Sequence, residues 1–176
     1  MKDKLNLILE NLNDIEYGFV DNEKNIYPDD LKDWSKNFGE IYHLQSPQEL
    51  IKNKYGVCWD QVELERFYLD KENIESKSYF IIAYDKKQEP THTFIVIESD
   101  KYYWFEHSWE PYCGIHEYES LNDLLNDVKS KFEESIKKQN VKEYELKIYE
   151  YSKPKYNLSC IDFMKHCEKG IKININ

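Results

Sequence analysis

Two periodicities divide this chain, and their order dictates its architecture. Apolar residues at helical spacing crowd the first 69 residues, and strand-like runs begin only at residue 78. A doubly wound parallel sheet needs strands and helices in alternation, which this order does not offer. The expected fold class is α+β, with an antiparallel sheet packed against an N-terminal helical part.

Leu5, Ile8, Leu9, Leu12 and Ile15 recur at helical spacing, so residues 1–16 read as one amphipathic helix. Residues 17–45 carry Gly18, Pro28 and Gly39 and read as irregular, with a short helix near Pro28–Asn37. Ser46-Pro47-Gln48-Glu49 is a capping box with proline at the first helical position. Its helix runs to about Lys54 and stops at Gly56, a residue that takes a left-handed cap without strain. A second helix opens at Val57–Cys58 and runs to about Leu69, with Cys58, Val62, Glu65 or Arg66, and Leu69 along one side. Ser78–Tyr84 is β-branched and aromatic; Thr91–Glu98 and Lys101–Ser108 flank the polar pair Ser99-Asp100 and read as a hairpin. Residues 120–138 form an amphipathic helix with Leu121, Leu124, Leu125, Val128 and Phe132 inward, residues 142–151 a strand, and Ser159 caps a last helix that ends before Gly170.

At 176 residues the chain is long enough for one domain with a sizeable core, expected over residues 1–176. A charged fraction of 33% with 15% aromatics suits a globular protein with a wet surface. The net charge of −10 argues against nucleic acid and anionic membrane as partners, since both attract a basic face. A basic or neutral substrate is easier to accommodate. The first 15 residues lack the uninterrupted apolar core and small-residue site of a signal peptide, and no run approaches 18 apolar residues. A cytoplasmic setting is therefore expected, with Cys58, Cys113, Cys160 and Cys167 as free thiols.

The chemistry centres on Gly56-Val57-Cys58-Trp59-Asp60. A cysteine at a helix start meets unpaired N–H groups and partial positive charge, which favour thiolate and can hold an oxyanion. A small apolar residue buried at a helix start is the plainer alternative. His92 opens a strand 34 residues later, and Glu106 lies on the returning strand. A base needs an acceptor on its second ring nitrogen, and a carboxylate supplies one. Register decides which residue that is. A two-residue turn at Ser99-Asp100 pairs His92 with His107, whereas a three-residue loop over Glu98–Asp100, or a bulge, brings it to Glu106. Glu106 is favoured because only a carboxylate stabilises an imidazolium well.

The blocks GVCWDQ (Gly56–Gln61), HTFIVIE (His92–Glu98) and YYWFEHSW (Tyr103–Trp109), with the helix SPQELIKNKYG (Ser46–Gly56) before them, resemble the transglutaminase-like superfamily of papain-related proteins. The resemblance spans roughly residues 43–110. It implies a nucleophile helix packed on the sheet and a triad of Cys58, His92 and Glu106, with Glu106 standing where the family usually has aspartate. It also implies acyl transfer: His92 deprotonates Cys58, the thiolate attacks a carboxamide, the Cys58 N–H helps hold the oxyanion, and water or an amine resolves the thioester. Superfamily members include transglutaminases, peptidases, amidases and catalytically silent modules, and a protein or peptide substrate fits the active classes.

Further candidates are Gln45 as an oxyanion donor and Trp59 and Trp109 as cleft walls, with core packing the alternative for both indoles. Asp60 reads as a first-turn acid that complements the helix dipole. No cofactor is called for. Cys113 and His116, with Cys160, His166 and Cys167, have a faint zinc-like look but match no standard spacing, and no metal is expected.

Overall fold

The structure, a computed structural model, describes residues 1–85 and 88–175. Helix α1 spans Lys2–Leu9 and tightens into a 3-10 turn over Glu10–Leu12. The expected helix over 1–16 thus ends early. Asn11 Nδ2 donates to the carbonyls of Leu7 and Ile8 at 3.2 and 3.0 Å, a local bond that competes with the helical ladder. Leu5, Ile8, Leu12 and Ile15 are nevertheless all buried.

Residues 17–45 are more ordered than their composition suggests. Strands β1 (Gly18–Val20) and β2 (Ile26–Pro28) form a small antiparallel hairpin. Asp21 organises its turn, accepting from the main-chain N–H groups of Glu23 and Asn25 and from the Tyr27 hydroxyl. The short helix expected near 28–37 starts later, as α2 (Trp34–Ile41), because Pro28 closes β2 and the chain bends before Trp34.

Helix α3 (Pro47–Asn53) carries the full capping box: Ser46 Oγ accepts from Glu49 N, and Glu49 Oε2 accepts from Ser46 N. Its left-handed cap is Lys54, with φ 65°, and not Gly56. The glycine serves close packing instead, since a Cβ there would lie 2.6 Å from Leu50 Cδ1. Helix α4 follows over Cys58–Lys71.

Strands β3 (Lys77–Tyr84), β4 (Thr91–Glu98), β5 (Tyr102–Glu106) and β6 (Gly114–Tyr118), helix α5 (Leu121–Lys138), strand β7 (Glu145–Tyr151), helix α6 (Cys160–Glu168) and strand β8 (Ile171–Ile173) complete the order. The six-stranded sheet runs β6-β5-β4-β3-β7-β8, antiparallel at every pairing. Strands β6 and β8, short and poor in alternation, carried no strand signal in the sequence.

The fold is α+β, as its periodicities require. Both sheet faces are covered, which is why Ser78–Ala83 is buried without a break. Phe80, Ile82, Ile95, Ile97 and Phe105 pack with the N-terminal helices and Phe163 of α6. Tyr79, Ile81, Phe94, Val96 and Trp104 pack under Leu124, Leu125, Val128, Phe132 and Ile136 of α5. No helix among the described residues is long and apolar enough to cross a membrane.

Candidate active site

The site forms where α4 begins beside the opening end of β4. The turn that delivers Cys58 is tied down on three sides. Glu16 N donates to Lys54 O at 2.8 Å and Gly56 N donates to Glu16 O at 3.1 Å, so the N-terminal segment straps the chain just before the cysteine. Gln61 Nε2 donates to Gly56 O at 2.8 Å. Asp60 Oδ2 accepts from Val57 N at 3.0 Å, while Oδ1 accepts from Gln45 N at 2.8 Å and the Tyr42 hydroxyl at 3.0 Å. Asp60 is therefore a buried clamp between the α2–α3 connection and the Cys58 turn, beyond the helix-dipole role that its position suggested. Burial outweighs its donors and pushes its carboxyl up to about 7.

Cys58 is the first residue of α4 and only 4% exposed. His92, the second residue of β4, stands beside it. The His92 Nε2 proton points at Glu106 Oε2, 2.8 Å away, which leaves Nδ1 as the nitrogen for the thiol. Burial alone would lower the His92 pKa; the Glu106 charge, with hydrogen bonds to Cys58 and Glu106, overcomes it and raises the ring to about 10. Glu106 accepts four hydrogen bonds: His92 Nε2 and Trp104 Nε1 on Oε2, Ser108 Oγ and Trp109 N on Oε1. Burial opposes its charge, but the His92 attraction and these donors hold it below the usual carboxylate range.

The register that achieves this differs from both alternatives drawn from the sequence. Glu98 pairs with Tyr102 and Ile95 with Phe105 around a loop of Ser99, Asp100 and Lys101. Continued outward, that register sets His92 opposite Ser108 and Phe94 opposite Glu106. Glu106 therefore reaches His92 on the diagonal, on the same face, and the extra methylene of glutamate spans the offset. His107 faces elsewhere: its Nδ1 meets Gln61 Oε1, and burial lowers its pKa against the opposing pull of Glu106.

An open cleft of about 940 Å3 lies over the site, lined by Tyr17, Tyr55, Gln61, His92, His107 and Trp109 among others. The Trp109 ring stands 4.8 Å from the His92 ring and walls this cleft. Trp59 does not. It is 2% exposed and packs on Phe163, Phe38 and Tyr42, a core residue. Gln45 also lies away from the cleft. Its Nε2 donates to Tyr55 O and its Oε1 accepts from Asn53 Nδ2, each at 2.8 Å, so its amide ties α3 to the Cys58 turn.

Two further neighbours were not among the expected site residues. Tyr17 has an exposed ring edge, yet its hydroxyl is buried against the thiol and the main-chain N–H of Cys58; this burial and the nearby thiol raise its pKa well above the usual phenol range. Glu65, two turns below Cys58, is buried with no hydrogen-bond partner on Oε2; burial first, then the Glu106 charge, hold its carboxyl well above the usual range. Only the tertiary fold brings Tyr17 near the thiol, whereas Glu65 shares the helix that carries Cys58.

No group of three His, Cys, Asp or Glu among the described residues is arranged to hold a metal ion. Cys113 is exposed and Cys167 buried, while His116 and His166 each bond a main-chain carbonyl, of Tyr112 and Ser152.

A search of curated proteins returns no match. The family model described as a transglutaminase-like domain matches residues 3–136, more than half of the 176, and takes in α4, β4 and β5 with Cys58, His92 and Glu106. By that match and this fold, the chain belongs to the transglutaminase-like family.

Proposed function

We propose that this protein is a cysteine acyl-transfer enzyme that acts on a carboxamide of a protein or peptide through a thioester on Cys58. The observation that carries the reading is Glu106. A buried carboxylate with four donors holds His92 by Nε2 and keeps the ring charged, with a thiol at a helix start on its other side. A histidine that packs a core has no use for such an arrangement. In the resting charged pair the thiol proton already sits on His92 Nδ1, and the thiolate sulfur pair attacks the carbonyl carbon. The amide nitrogen leaves as an amine after taking the proton from His92, and water or a second amine then resolves the thioester. One domain over 1–176 belongs to the same reading, supported by β7, which lies beyond the family match yet pairs with β3 inside the sheet.

A silent binding module is the rival, and the burial of Cys58 speaks for it. Alkylation separates the two. By exposure alone iodoacetamide should label Cys113 before Cys58. An activated Cys58 reverses that order below neutral pH, and His92→Ala restores it, as read by mass-spectrometric mapping. A folded protein whose Cys113 is labelled first would sink the enzymatic reading.

A further inference from the structure

We propose that Tyr17 completes the oxyanion site, its phenolic O–H acting with the Cys58 main-chain N–H on the oxygen that becomes negative when the thiolate attacks. The inference rests on the acyl-transfer reading above and adds a residue to it.

A main-chain N–H at the head of a helix offers one donor, and a tetrahedral intermediate is held best by two. The side-chain amides near the turn are engaged: Gln45 with Tyr55 and Asn53, Gln61 with Gly56 and His107. The Tyr17 hydroxyl is the group that reaches both the thiol and the N–H of Cys58. Its place is built in. The parallel bridge between Glu16 and Tyr55 fixes the main chain immediately before Tyr17. Immediately after it, Gly18 lets β1 close on β2, where a Cβ would lie 2.7 Å from Tyr27 O. The ring then leans toward Trp34, with centroids 6.4 Å apart, and its edge faces the cleft.

Such a donor must keep its proton at neutral pH, and the buried hydroxyl does, its pKa lying well above the phenol range. In the resting site the hydroxyl lies beside the Cys58 thiol and main-chain N–H. An arriving carbonyl oxygen takes that N–H, and the hydroxyl turns its own proton toward the same oxygen. As the S–C bond forms, the carbonyl π pair moves onto oxygen between the two donors. On collapse the pair returns and the leaving group departs.

Tyr17→Phe tests this with two probes of one thiol. Acetylation by p-nitrophenyl acetate passes through an oxyanion and releases p-nitrophenolate; alkylation by iodoacetamide displaces iodide and forms no oxyanion. The ratio of the two second-order rates at Cys58 should fall about 100-fold in Tyr17→Phe, the loss expected for one oxyanion donor. Tyr102→Phe, whose hydroxyl bonds Glu98 at the β4–β5 loop and does not line the cleft, should keep the wild-type ratio. An unchanged ratio in Tyr17→Phe overturns the proposal, as does a rise in both rates, which would make the ring a cover over the thiol. Failure of the parent reading looks different: Cys58 of the unsubstituted protein would then show no preferential alkylation, and the proposal would fall with it.

Discussion

Replacing Glu106 by glutamine removes one charge and keeps the shape, so its effect on Cys58 isolates what the carboxylate does. His92 is raised from 6.5 to about 10. At ~1.4 kcal/mol per pKa unit this is ~5 kcal/mol of preference for the charged ring, shared between Glu106 and Cys58. Replacing the anion by a neutral amide takes ~2 kcal/mol from the charged pair, the order of a hydrogen bond to a charged group, a factor of about 30. The fold should survive with a penalty. Oε1 and Oε2 each face two donors, and an amide NH2 suits neither pair. The Ser108 hydroxyl can rotate to accept, but Trp109 N–H is then left without an acceptor, which costs ~1–3 kcal/mol. The assay is the second-order rate of iodoacetamide at Cys58 against pH, mapped by mass spectrometry, beside a urea unfolding curve. The neutral rate should fall about 30-fold in Glu106→Gln and stay within about twofold in His107→Gln, whose ring bonds Gln61. Stability gives a second readout with a definite sign. A histidine raised in the folded state contributes its full stabilisation below 6.5 and loses it as pH rises toward about 10. Glu106→Gln should flatten that alkaline decline. An alkylation profile that overlays the unsubstituted one, or a larger effect from His107→Gln, would refute the Cys58–His92–Glu106 assignment.

Gly56→Ala places a methyl 2.6 Å from Leu50 Cδ1 and 3.0 Å from Asp60 Cβ, so urea unfolding should show a loss of about 1–3 kcal/mol, with slower alkylation of Cys58 as the turn shifts. A variant as stable as the parent would mean that the turn has slack. Asp60 predicts an opposite pH trend to the usual carboxylate: raised from 3.8 to about 7, it makes the folded state lose stability as pH climbs between those values and hold level above. Subtracting the unfolding free energy of Asp60→Asn should isolate a loss on the order of 4 kcal/mol from pH 4 to pH 8. A gain over the same range would mean that Gln45 N–H, Tyr42 O–H and Val57 N–H outweigh burial.

Local chemistry explains what was legible along the chain. The capping box at Ser46 marks α3 to the residue, because its donors and acceptors lie three positions apart and need no distant partner. The full burial of Ser78–Ala83 follows from its apolar, β-branched run, and Cys58 at a helix start follows from the glycine and the first-turn acid around it. The antiparallel α+β arrangement needed only the order of these elements. Other features had no local cause. Lys54 takes the left-handed cap two residues before Gly56, which packs close against Leu50, a contact that the sequence does not display. Strand β6 exists because β5 offers it an edge, and Trp59 is core because α6, a hundred residues on, covers it.

The sequence by itself marked the candidate residues, a thiol at a helix start, a histidine opening a strand and a carboxylate on the return, since each is a matter of residue type and local element. The tertiary structure alone decided how they meet. A three-residue loop set Glu106 on the diagonal from His92, two residues away from direct opposition, and a strap from the N-terminal segment put the Tyr17 hydroxyl on the thiol. Register and long-range strapping depend on which apolar faces pack together, and that is a property of the whole core, not of any segment of the chain.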